Sequence, residues 1–227
     1  MIAILSDIHA NIQAFVSVVE DAKRRGADEY WLLGDLVDYG ANPNETVELA
    51  RELNITRFVG GNHDAALFSD VRASKTPHGR AAHEFTKKTL TRDNADWLEP
   101  FSRIQLIEAL PGTWLVHGTP EDPYWGKVCP ECDAEEWNGE LERLGGQRLL
   151  VGHTHVQFIM ALPGGGVIFN PGSVGQPRNG CPDAQYMLYD GERFLLCQTP
   201  YDIPAAACAI RAAGLPEYLA ERLSAGK

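Results

Sequence analysis

The chain opens on a short continuous apolar run, "MIAILSD", which predicts a buried strand. Next comes "IQAFVSVVEDAKRRG", whose apolar residues recur at helical spacing. Asn11 stands where a cap belongs, and the segment closes on basic residues and Gly26. "YWLLGD" predicts a second buried strand, "PNETVELARELN" a second helix entered through Asn42 and Pro43, and "ITRFVGGNHD" a third strand. The β-α-β-α-β order implies parallel strands joined by right-handed crossovers. From residue 64 to about 100 the chain is polar and predicted helical, as in "GRAAHEFTKKTL". After Pro100 the pattern turns to strands: "RIQLIEAL", a Pro-Gly turn, then "TWLVHG". A loop and a short helix fill 121–147. Strands return at "RLLVG", "VQFIMAL", "GVIFN", "QYMLYD" and "RFLLCQT", with "PGGG" and "DGE" as hairpin turns. An alanine-rich helical tail begins at about residue 203 and is broken at Gly214-Leu215-Pro216.

This order predicts an α/β (α+β) fold of two packed sheets with helices outside. No repeat, low-complexity linker or internal boundary divides the 227 residues, so one domain is expected over 1–227. That length is enough to bury a core without staples.

Charge and cysteine usage narrow the classes. The formal net charge is -11, which repels a long nucleic acid but leaves room for a local cationic site. Five widely spaced cysteines do not form a secreted disulfide framework. The single pair Cys129 and Cys132, in "CPEC", is weak support for zinc or redox chemistry and reads as a surface loop with incidental thiols. No basic leader and no run of ~20 apolar residues is present, so a cytoplasmic location away from the membrane is expected.

The polar residues that end the predicted strands are the informative ones, because ligands of α/β sheets sit beyond those ends. The first strand ends in Asp7 and His9, the second in Asp35, and the third in Gly60-Gly61-Asn62-His63-Asp64. "TWLVHG" ends in His117, and "RLLVGHTH" in His153 and His155. Taken singly, Asp7 could cap a helix, Asp35 or Asn62 could serve a turn, and His117 could be a core histidine. Repetition at every strand end argues against a structural origin for all of them. His153 and His155 share a face if the segment is extended, since i and i+2 point the same way. Two carboxylates, one carboxamide and several imidazoles, with no thiolate, suit borderline divalent ions such as Mn, Fe, Co, Ni or Zn. The donor number exceeds one ion's needs and matches two ions ~3.5–4 Å apart.

The motifs "DIH" at 7–9, "GD" at 34–35, "GNHD" at 61–64, "HG" at 117–118 and "GHTH" at 152–155 resemble, in order and spacing, the calcineurin-like metallophosphoesterase superfamily. "NPGSVGQPRNG" at 170–180 is similar to its small stand-alone bacterial and archaeal branch, near phosphodiesterase-like members. The resemblance implies a four-layer αββα sandwich and a metal-dependent phosphoesterase. It gives Asp7, His9 and His155 to a first metal and Asn62, His117 and His153 to a second, with Asp35 bridging. It makes His63 the acid or phosphoryl-contacting residue, with Asp64 orienting its imidazole. Asn11 and Arg178 would approach the substrate phosphate, Arg178 by its planar fork. Relatives of this branch often carry "GYGP" where this chain has "DYGA" at 38–41, which would put Asp38 and Ala41 near the pocket rim.

The implied reaction is attack by a two-metal-activated hydroxide on a small phosphate ester, with manganese favoured and diesters preferred to monoesters. A serine/threonine phosphatase-like monoesterase shares the same chemistry, and the loops at 64–80 and 119–132 would form or block its groove. A non-catalytic binding scaffold, as in some relatives such as a retromer subunit, would be expected to lack ligands or the acid histidine that this chain keeps.

Overall fold

A computed structural model describes residues 1–227. Two five-stranded mixed sheets face each other between helices, an α/β sandwich. The first sheet contains β1 (Ile2–Leu5), β2 (Glu29–Leu32), β3 (Ile55–Phe58), β9 (Ala184–Tyr189) and β10 (Phe194–Thr199), in the order β10-β9-β1-β2-β3. β1, β2 and β3 are parallel, while β9 and β10 add as an antiparallel hairpin. The second sheet contains β4 (Leu106–Leu110), β5 (Thr113–Val116), β6 (Arg148–Leu150), β7 (Phe158–Ala161) and β8 (Val167–Asn170), in the order β4-β5-β6-β8-β7. Its β5, β6 and β8 are parallel, with antiparallel strands at both edges.

Strand periodicity sorts the core into layers. Ala3 and Leu5 of β1, Tyr30 and Leu32 of β2, and Tyr186 of β9 face the helices. There they meet Phe15 and Val18 of α1 (Ile12–Arg24), Val47 of α2 (Pro43–Glu52) and Leu98 of α5 (Arg92–Ser102). The alternate residues Ile4, Trp31 and Met187 face inward, against Leu115, Leu150 and Phe169 of the second sheet. On the far side, α6 (Ala134–Arg143) places Leu141 against Leu149, Ile168 and Met160.

Local signals explain the helix ends. Asn11 caps α1 by accepting from the Ala14 backbone N–H at 3.1 Å, and Lys23 and Arg24 sit in its last turn. The polar stretch after β3 forms α3 (Asn62–Ala66), α4 (Pro77–Thr89) and α5. α5 runs through Pro100 to Ser102 rather than stopping before it. The proline lies in the last turn, where it removes one backbone hydrogen bond, the one to the residue four before it. The tail forms α7 (Ile203–Ala212) and α8 (Glu217–Ala225), which pack together over Tyr39 and Ala82. No helix is long and apolar enough to cross a membrane.

Leu115 is fully buried between the sheets. Leu115→Ala is expected to cost about 2–5 kcal/mol, read as a lower denaturant midpoint with an unchanged slope.

Candidate functional site

The C-terminal ends of β1, β2, β3, β5 and β6 meet at one seam between the sheets. Each delivers the polar residue that terminates it. The loops that do so are bent: Asp7, His9, Ala10, Asp35, Asp38, Tyr39, His153 and His155 have φ between 49° and 70°. These are all the non-glycine left-handed residues of the chain, and all lie at this seam. Such backbone persists only where the surroundings over-determine it. His153 and His155 therefore converge through a left-handed turn, not along an extended segment as expected. Glycine permits the closest approach. A Cβ on Gly61 would lie 2.0 Å from Asp35 Oδ1, and one on Gly34 would lie 2.4 Å from the Gly61 backbone nitrogen.

Asp7 divides its oxygens. Oδ2 accepts from the Ser6 hydroxyl at 2.6 Å and from the His153 backbone N–H at 3.1 Å. Oδ1 has no hydrogen-bond partner and lies 3.1 Å from His155 Nε2 and 3.7 Å from His9 Nε2. The other ring nitrogens are fixed by backbone carbonyls: His9 Nδ1 on Val37 O at 3.0 Å, His155 Nδ1 on Gln176 O at 2.6 Å, and His117 Nδ1 on Leu33 O at 2.6 Å. An Nδ1–H that donates to a carbonyl leaves the Nε2 lone pair facing the seam.

The Nε2 atoms of His9 and His155 are 3.1 Å apart. Two lone pairs at that distance repel unless a cation lies between them. Burial holds both imidazoles below their ordinary pKa, so a proton is a poor occupant. The donor set fits a metal ion. Asp7, His9 and His155 form one cluster able to hold one, and Asp35, His117 and His153 form another.

Asp35 Oδ2 sits 3.2 Å from His117 Nε2 and 3.8 Å from His9 Nε2, so it reaches both clusters. Its Oδ1 accepts from the His63 backbone N–H at 2.9 Å. Asn62 donates its amide to Ala73 O at 2.7 Å, while its buried Oδ1 has no partner. His153 is partly exposed, with Nδ1 at 3.3 Å from His117 Nε2. Burial works against a charged imidazole at His117 but is outweighed by the Asp35 and Asp7 carboxylates, which raise it to about 9. Desolvation and the neighbouring His117 charge lower His153 to about 3.

His63 is partnered differently from expectation. Its Nδ1 pairs with Asp38 Oδ2 at 2.7 Å, not with Asp64. Asp64 accepts instead from the backbone N–H groups of Asp35, Leu36 and Gly61, at 2.8, 2.9 and 3.2 Å, pinning the β2 and β3 loops together. Asp38, expected at the rim, is fully buried. The same Oδ2 also receives His83 Nδ1 of α4 at 2.8 Å. Sequence reading missed Asp38 and His83 as neighbours of His63, because α4 lies in a segment with no motif. Tyr39 wedges its ring 4.7 Å from both His9 and His63. Burial opposes protonation of His63, yet the Asp35 and Asp38 carboxylates carry it up to about 10.

The "NPGSVGQPRNG" segment acts as a clamp. Ser173 donates to Asp7 O at 2.7 Å, Gln176 O holds His155, and Asn170 donates to Gly152 O at 3.0 Å. Asn11, expected near a substrate phosphate, is committed elsewhere: Oδ1 caps α1 and Nδ2 donates to Gly175 O at 2.9 Å. Arg178 does reach the site. It lines a cavity of about 190 Å³ with Asp35, Asn62, His63, His153 and His155, and its buried Nε has no partner. Residues 73–76 with Trp125 and Lys127 wall the same cavity, so both loops singled out in the sequence border it. Ala41 lines a separate crevice beside Tyr39 and α7. Cys129 and Cys132 lie half-buried in the loop before α6, where Cys132 Sγ accepts from the Cys129 backbone N–H at 3.1 Å.

A family model described as the calcineurin-like phosphoesterase superfamily domain matches residues 1–193. An uncharacterized protein of Methanocaldococcus jannaschii is 35% identical, with 100% of this chain and 98% of that protein covered. The crystal structure of a metallophosphoesterase from Sphaerobacter thermophilus is 33% identical, with a TM-score of 0.82 over 100% of this chain and 98% of that one. A hypothetical protein from Pyrococcus horikoshii OT3 shares the fold at 22% identity, with a TM-score of 0.81 over 100% and 99% of the two chains. The chain belongs to the calcineurin-like phosphoesterase superfamily, a family of metal-dependent phosphoric ester hydrolases.

His63 and His117 are raised above the unfolded value of about 6.5, so the folded chain binds more protons above that pH. Their contribution to stability is complete below about 6.5 and is lost as pH climbs towards 9 and 10. Metal-stripped protein is expected to show a melting temperature that falls from pH 7 to pH 10, and His63→Ala should flatten that slope. A melting temperature that rises across this range would contradict the assignment.

Proposed function

We propose that the chain hydrolyses phosphodiesters, and phosphomonoesters secondarily, with two divalent ions held at the seam. Asp7, His9 and His155 take the first ion, Asn62, His117 and His153 the second, and Asp35 bridges. The facing Nε2 atoms of His9 and His155, with the unpartnered Asp7 Oδ1 beside them, carry this reading. The unpartnered Asn62 Oδ1 supports the second set. Oxygen and nitrogen donors without thiolate favour manganese, with iron, nickel, cobalt or zinc as alternatives. When bound, the ions supply Lewis acidity that lowers the pKa of water and offsets phosphate charge.

The chain's own groups do the rest. Protonated His63 donates to the phosphoryl group or the leaving oxygen. Asp38, held by His83, keeps the His63 ring turned with Nε2 towards the cavity. Arg178 offers its fork to a phosphate oxygen. The cavity's size favours a small ester over an extended protein substrate. Five free cysteines suit a reducing compartment and support a cytoplasmic location.

Metal-free protein reloaded separately with Mn, Ni, Zn and Mg is expected to bind about two ions per chain and to turn over a chromogenic diester faster than its monoester. Monoester preference would move the reading to a phosphatase; two ions bound with neither ester cleaved would support a scaffold. His63→Ala should lower kcat by about 10²–10⁴-fold with metal content unchanged. Asp38→Asn and His83→Ala should lower kcat by less, also without metal loss. Parallel loss of metal and rate in His63→Ala would make His63 a ligand. Because His117 must shed a proton to ligate, metal affinity is expected to rise between pH 7 and 9, measured by competition with a chromogenic chelator.

A further inference from the structure

The cavity wall carries more positive charge than a simple diester needs. Asp35 is its only carboxylate, and that group faces the two metal clusters. The remaining wall adds Lys75, Lys127 and Arg178 with no negative side chain to balance them. This happens in a chain whose net charge is -11. A diester brings one negative charge, which two divalent ions and His63 already oversupply.

The two lysines are exposed, and they come from the two loops that wall the cavity. Lys75 Nζ stands 4.6 Å from the centre of the Trp125 ring. That ring meets the His153 imidazole edge-on at 5.5 Å. Lys75 and His153 thus both contact the Trp125 ring within the wall of one cavity, and Lys127 follows Trp125 by two residues. A lysine ammonium is a mobile point charge suited to a phosphate that does not react.

Resting on the reading of the seam as a phosphoesterase site, we propose that Lys75 and Lys127 form an outer anion subsite. The preferred substrate is a small phosphate ester that carries a second phosphate group apart from the scissile one. The scissile phosphate sits over the metal clusters with Arg178, and the second sits at the outer mouth between the two lysines. The gain comes as binding, since the lysines do not touch the reacting atoms.

The test uses metal-loaded full-length protein and a matched pair of chromogenic diesters. One is thymidine 5′-(p-nitrophenyl phosphate); the other is the same molecule with a 3′-phosphate. Wild type is expected to favour the bisphosphorylated ester by about tenfold in kcat/KM, equivalent to about 1.4 kcal/mol, mainly through KM. In Lys75→Gln/Lys127→Gln the advantage, read as the ratio of the two esters' kcat/KM within that variant, should fall below about threefold. Lys75→Arg/Lys127→Arg should retain the advantage, and high salt should erode it in wild type. Equal kcat/KM for the two esters in wild type, or an advantage that survives the glutamine double variant, would overturn the subsite. Calorimetry with thymidine 3′,5′-bisphosphate and thymidine 5′-phosphate separates this from failure of the phosphoesterase reading. If neither ester is cleaved, a tenfold binding preference lost in the glutamine variant still supports the subsite, and equal binding overturns it.

Discussion

Three imidazoles and two carboxylates point their free electron pairs into one buried seam, and everything around them is arranged to keep them there. Left alone, such a set would spread apart or take up protons. The fold prevents the spreading, and burial keeps protons off His9 and His155, whereas His117 still takes one up beside Asp35. Each of three rings is tied through Nδ1 to a backbone carbonyl, and Asp7 is tied through Oδ2 to Ser6 and His153. What remains free is the side of each group that faces its neighbours. The rigidity comes from the sandwich: parallel strands in both sheets present their C-terminal ends to the same seam, with inter-sheet residues such as Trp31 and Leu150 packed directly below.

The backbone bears the cost of that geometry. Eight side-chain-bearing residues lie in the left-handed region, a conformation that costs of order 1–3 kcal/mol each where the residue is unsuited to it. Aspartate and histidine tolerate it better than most. Asp64 shows how the strain is met, since one carboxylate binds three backbone N–H groups from two loops. It acts on the loops that carry Asp35 and Asn62, not on the imidazole next to it in sequence.

Much of this arrangement was legible in the chain. The parallel run of β1, β2 and β3, the hairpins at "PGGG" and "DGE", and the Asn11 cap follow from periodicity and turn chemistry, which are local, whereas the parallel pairing of β5, β6 and β8 replaces the antiparallel strands that the second half leads one to expect. The polar residue at each strand end is also a local signal, so the members of the cluster could be named. Which group faces which could not. Asp38 and His83 are 45 residues apart, and no spacing rule links them. The same limit explains Asn11, whose short side chain serves a cap and a carbonyl, and Asp64, whose partners lie on another loop. Positive φ at His153 and His155 was hidden too, because histidine gives less warning of a left-handed turn than glycine does.

The clamp formed by residues 170–176 bears on the order of events during synthesis. Ser173 closes onto Asp7 across 166 residues, and His155 meets His9 across 146. Such long loops close slowly and late. A chain growing from its N-terminus can build β1, α1 and β2 early, but the pocket they face lacks half its walls until Gln176 has left the ribosome. The donor groups therefore take their final aim only once residues 170–176 have folded against them. A truncation before residue 170 would leave carboxylates and imidazoles gathered at an open edge, with nothing to fix their aim.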